Sequence, residues 1–182
     1  RGGERGEHTR RPTGPRHRRP NSCGMMAARG VYALLLALAS SQTITIGRLG
    51  EFHFPAGYYL YLGSAQGPGG LAARLARHCR REKKRHRHID HLRPAARLEQ
   101  IWALVTDERV ECQWAAAAQT LPGVSLPASR FGASDCRCPA HLFHYPARPE
   151  SGAFANAAGI PVSRLKVFGC DGTRTPDFTD GN

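Results

Sequence analysis

The run Val31–Ala39 constrains the fold more than any other stretch, because nine consecutive apolar residues follow a long polar segment rich in arginine. A membrane-spanning helix needs about 20 apolar residues, and no run of even about 18 occurs in the chain. The nine residues therefore read as a buried strand, stopped by a polar turn at Ser40 and Ser41, and not as a secretion signal.

The pattern that follows predicts a small domain. A short strand is expected over Thr43–Ile46, and a turn at Gly47–Gly50 follows it. Pro55 and Gly57 bend the chain before an aromatic strand at Tyr58–Leu62, and the glycine-rich stretch Gly63–Gly70 feeds a helix over Gly70–Arg81. Leu71, Ala72, Leu75, Ala76 and Cys79 form the apolar face of that helix, with Arg74, Arg77, His78 and Arg81 on the far side. A short helix over Ile89–Leu92 is stopped by Pro94, Leu98–Val105 reads as a third main strand, and Val110–Gln119 is a good helix former. His141–Tyr145 is a closing strand and Leu165–Phe168 an edge strand. The expected fold class is α/β, with a central, mostly antiparallel three-stranded sheet, extra short strands and flanking helices. Residues 1–28 are expected to be a disordered basic tail, 29–145 the folded domain, and 146–182 an irregular C-terminal extension.

Charge narrows the partner. The 182 residues carry a net charge of +12, with 23 arginines against 3 lysines. Such a balance suits a polyanion, although a coding sequence rich in G and C would also favour arginine. The interval Leu71–Arg97 concentrates ten Arg or Lys residues against two acids, a net +8. Arg77, Arg80, Arg81, Lys83, Lys84, Arg85 and Arg87 are the candidate contacts of a phosphate-backbone track such as a nucleic acid presents, and charge alone does not separate DNA from RNA. Six cysteines without a regular disulfide spacing favour a reduced, cytoplasmic setting.

The motifs add chemistry. Gly30-Val31-Tyr32 on one strand and Tyr61-Leu62-Gly63 on another precede Arg74 and His78, one turn apart on a helix, and then Glu111. In these residues, and in Phe54–Ala65 and Phe131–Leu142, the chain resembles the GIY-YIG nuclease superfamily over residues 30–145. It looks closest to the short branch found alone or fused to DNA-repair glycosylases of the endonuclease III type. One departure stands out, because that branch often carries Trp-His-Ile-Asp-Tyr where this chain has Arg87-His88-Ile89-Asp90-His91.

The resemblance implies a metal-dependent phosphodiesterase, acting on structured or damaged DNA and working beside a DNA-repair partner. Tyr32 matches the proposed general base, Tyr61 orients phosphate or water, Arg74 stabilises the transition state, and His78 assists proton transfer or phosphate contact. Glu111 matches the metal-binding glutamate. An all-oxygen site of this kind favours Mg²⁺ or Mn²⁺. A free phenol near pKa 10 is a poor base at neutral pH, so the role of Tyr32 needs a nearby cation or a strong water network.

Cys136-x-Cys138-x-x-His141, together with Cys112, offers four ligands for a structural Zn²⁺ site, with packing or redox cysteines as the alternatives. Asp135 and His88-x-Asp90 are reserve metal candidates. Two rival functions remain open at this stage. One is a non-catalytic nucleic-acid-binding module on the same scaffold, and the other is a zinc-stabilised structural or interaction domain.

Overall fold

The apolar run becomes β1 (Gly30–Leu38), the central strand of a five-stranded antiparallel sheet in the computed structural model, which describes residues 28–80 and 86–170. It is followed by a hairpin of β2 (Gln42–Thr45) and β3 (Glu51–Phe54), then β4 (Gly57–Ser64) and helix α1 (Gly70–Cys79). Helix α2 (Ile89–Leu92), strand β5 (Arg97–Val105), helix α3 (Glu111–Ala118), strand β6 (Leu142–Tyr145), helix α4 (Ser151–Ala157) and strand β7 (Lys166–Gly169) complete the order. The sheet runs β6-β4-β1-β5-β7, and the hairpin forms a separate two-stranded sheet. The expected α/β class is observed, and the three expected main strands lie side by side at the centre.

Strand periodicity explains why β1 is apolar throughout. Alternate side chains point to opposite faces, and both faces are covered. Tyr32, Leu34, Leu36 and Leu38 enter one core with Leu71 and Leu75 of α1, Ile89 and Leu92 of α2, and Phe54 of the hairpin. Val31, Ala33 and Leu35 enter a second core with Trp114 of α3 and Phe154 of α4. The result is a three-layer sandwich in which Tyr32 and Tyr61 are themselves members of the first core.

The C-terminal stretch corrects an expectation. Residues 146–170 are not irregular, since they supply α4 and the edge strand β7, which pairs with β5. Phe154 is fully buried, with its ring centroid 5.3 Å from that of Trp102 and 5.0 Å from that of Trp114. Aromatic pairs of this kind contribute about 0.5–1.5 kcal/mol each beyond their area burial. The basic tail expected over residues 1–28 lies outside the described residues except for Ala28.

Candidate functional site

Register brings the two tyrosine motifs together. Tyr32 on β1 pairs with Gly63 on β4, and Leu34 pairs with Tyr61, so both phenols project from the same face of the sheet. A Cβ at Gly63 would lie 2.5 Å from both Cζ and Oη of Tyr32. Glycine is required there because the Tyr32 ring lies across its strand neighbour. Gly30 is required for a similar reason, as its Cβ would meet the Leu104 carbonyl oxygen at 2.3 Å.

Helix α1 then delivers His78. Leu71, Leu75 and His78 follow helical spacing on the buried side, so His78 belongs to the core face and not to the wet face expected for it. Its Nε2 lies 2.8 Å from Tyr32 Oη, and neither residue has exposed surface. Burial pushes the Tyr32 phenol well above its ordinary value of 10.0, and the neighbouring Tyr61 and Glu111 add to this while Arg74 and Arg87 oppose it. Tyr61 is pushed up to about 12 by burial, against the charge and hydrogen bonding of Arg87. Tyr32, Tyr61, Arg74, His78 and Glu111 thus share one neighbourhood, although they come from four separate elements. Arg87 joins them there, a residue singled out only as a phosphate contact.

The candidate phosphate track divides. Arg77 forms an ion pair with the buried Asp90, which also accepts hydrogen bonds from the backbone N–H groups of His86 at 3.0 Å and Arg87 at 3.1 Å. Asp90, a reserve metal candidate, therefore anchors the segment that presents Arg87. Arg80 is exposed, and Arg81, Lys83, Lys84 and Arg85 lie outside the described residues. His88 accepts a hydrogen bond at Nδ1 from the Gly132 N–H, 3.0 Å away, and holds the loop before β6 against α2. Asp135 is exposed.

Glu111, the first residue of α3, does not stand alone. Its Oε1 lies 2.9 Å from His141 Nδ1, with the His141 side chain 3% exposed and that of Glu111 25% exposed. The other ring nitrogen, Nε2, lies 3.4 Å from Cys136 Sγ. Burial opposes a charge on His141, but hydrogen bonding and attraction to Glu111 and Cys136 outweigh it and raise the imidazole above its ordinary value. One ligand atom from each of Cys112, Cys136, Cys138 and His141 lies within 4.8 Å of all the others, and this Cys₃His set could hold a metal such as zinc. The hydrogen bond from His141 Nδ1 to Glu111 carried no signal in the sequence, because 30 residues separate them and the pairing depends on how the loop folds back.

Residues 31–160 match the family described as "Domain of unknown function DUF123". The chain belongs to that family. The matched span includes β1 from Val31 onward, Tyr32 and Tyr61, the Cys₃His cluster and α4, so α4 lies inside the shared domain. No curated protein and no solved structure matches the chain. Among the described residues, no helix is long and apolar enough to cross a membrane.

Proposed function

We propose that this DUF123 domain is a metal-dependent endonuclease of the GIY-YIG type, which hydrolyses phosphodiester bonds in structured or damaged DNA by direct water attack. The observation that carries this reading is the Tyr32–His78 hydrogen bond, set beside Tyr61, Arg74, Arg87 and Glu111. Hydrolysis forms a bond from water oxygen to phosphorus, breaks the phosphorus–oxygen bond to the leaving group, moves one proton off the water, and leaves an alkoxide that takes up a proton from solvent. It also needs positive charge where the phosphoryl oxygens become more negative.

Each residue has a distinct task in this scheme. Tyr32 does not ionise unaided, because burial holds its proton firmly. It serves instead as a relay, taking the proton of the attacking water as it passes its own to His78 Nε2, so that a free phenolate never accumulates. Arg74 offers a planar fork to the phosphate, and Arg87 adds a second cation beside Tyr61. Glu111, with one oxygen engaged by His141 and its side chain still partly exposed, offers its second oxygen to Mg²⁺ or Mn²⁺. One carboxylate, with water and substrate phosphate filling the remaining positions, is a donor set that Mg²⁺ commonly accepts. Such a cation, when bound, polarises the phosphoryl oxygen and makes bound water more acidic. The basic interval supplies a sequence-independent grip on the DNA backbone, and a DNA-repair partner would direct the domain to its lesion.

The second reading is a nucleic-acid-binding module that does not cut. The full burial of Tyr32 and His78 favours it, because the relay operates only if the cover over the pair opens when DNA binds. A cleavage panel of branched, nicked, flapped and plain duplexes, with Mg²⁺, Mn²⁺ or EDTA, separates the two. The nuclease reading expects metal-dependent cutting that is strongest on a distorted substrate. Tight binding without cutting across the whole panel selects the binding module.

A further inference from the structure

We infer that Cys112, Cys136, Cys138 and His141 form a closed, four-coordinate zinc site, and that Glu111 is the carboxylate that orients its histidine. A tetrahedral zinc centre places sulfur and nitrogen ligands about 3.5 Å apart and two sulfurs about 3.8 Å apart, given the usual bond lengths. The Cys136 Sγ to His141 Nε2 distance of 3.4 Å already fits that edge, and the whole set lies within 4.8 Å. Soft thiolates with one imidazole select zinc over the hard cations that suit a carboxylate.

The orientation of His141 is the second, independent observation. Its ring is buried, with Nε2 turned into the cysteine cluster and Nδ1 turned to Glu111. A zinc-bound histidine usually shares its other nitrogen with a carboxylate or carbonyl in this way, which fixes the ring and strengthens it as a ligand. The ligands come from both ends of the local structure, Cys112 from the first turn of α3 and the others from the loop leading into β6. Zinc therefore ties that loop to α3 and holds the Glu111 carboxylate at a fixed orientation. With four protein ligands it keeps no open position, so its role is to hold structure and position Glu111, not to activate water. The link to cleavage rests on the nuclease reading, whereas the zinc site stands without it.

The test uses the full chain purified under reducing conditions without chelator. Elemental analysis is expected to find about one zinc per chain, the stoichiometry of a single closed site. Replacement by Co²⁺ is expected to give the visible spectrum of a tetrahedral thiolate site, weakened in Cys138→Ser. Glu111→Gln is expected to retain the same stoichiometry and spectrum, while its zinc affinity in a chelator competition falls about 10–100-fold. Protein that purifies without zinc and takes up no Co²⁺, or that shows a disulfide within the cluster, overturns the site. Parental affinity in Glu111→Gln overturns the orienting role. Zinc at full occupancy in a chain that cuts no substrate leaves this inference standing and removes the nuclease reading alone.

Discussion

The hydroxyl of Tyr32 lies 2.8 Å from Nε2 of His78, across 46 residues of sequence and inside the core. A buried polar pair of this kind is costly to break, since the remaining partner is left without water to replace the lost bond. Tyr32→Phe keeps the ring and removes the bond, so stability is expected to fall by about 1–3 kcal/mol in urea unfolding. Cleavage, measured on the same folded protein, is expected to fall much further than stability alone explains. An unchanged cleavage rate would remove Tyr32 from the proton path.

Gly63 gives a packing test of the same spot. In Gly63→Ala the added methyl would lie 2.5 Å from the Tyr32 ring and hydroxyl, and that ring is fully buried and hydrogen-bonded to His78, so a shift would disturb the core around it. Overpacking of this size costs about 1–3 kcal/mol. Thermal unfolding reads the loss directly, and a variant as stable as the parent would show that the ring shifts freely.

Much of this arrangement was legible in the residues. The main strands and α1 followed from apolar patterning and α3 from the helix propensity of its alanines, and the paired tyrosine motifs were visible as short patterns at strand positions. His78 was misplaced because a histidine among arginines reads as part of a wet face, although its spacing from Leu71 and Leu75 puts it on the core side. Strand β3 and helix α4 were missed. The first is four residues beside a turn, and the second is a run of small residues with one large apolar side chain, Phe154. The Glu111–His141 contact depends on a long loop returning to α3, and no local pattern encodes it.

Salt dependence tests the basic interval. Counterion release makes the logarithm of affinity fall with the logarithm of salt by about 0.9 per phosphate contact on a duplex. Neutralising Arg80, Arg81, Lys83 and Lys84 together is expected to make the slope shallower by up to about 0.9 for each contact removed. A parental slope in that variant would place the phosphate contacts elsewhere, with Arg87 and Arg74 the next to change.

Glu111 and Arg74 separate turnover from binding. Glu111→Gln keeps the size of the side chain but removes the anionic oxygen offered to Mg²⁺, so cleavage is expected to collapse while DNA binding survives on the basic residues. Arg74→Lys keeps one charge and loses the planar fork, and is expected to slow turnover by about 100-fold with little change in affinity. Equal losses in binding and turnover would make these residues binding contacts only.

His88 provides the pH prediction. Burial, with the nearby His91 adding to it, holds the His88 imidazole below its ordinary value of 6.5. The unprotonated Nδ1 is also the acceptor for the Gly132 N–H, a bond that a protonated ring cannot accept. As pH falls through about 6.5, the unfolded chain takes up this proton before the folded chain does, so folding stability declines across that window. Above it both states are neutral at this position and the contribution is complete. His88→Gln keeps an acceptor without a titrating ring, and should therefore lose less Tm than the parent between about pH 7.5 and pH 5. Equal losses in the two proteins would assign the acid sensitivity to other histidines, and would leave the Gly132 contact with no part in it.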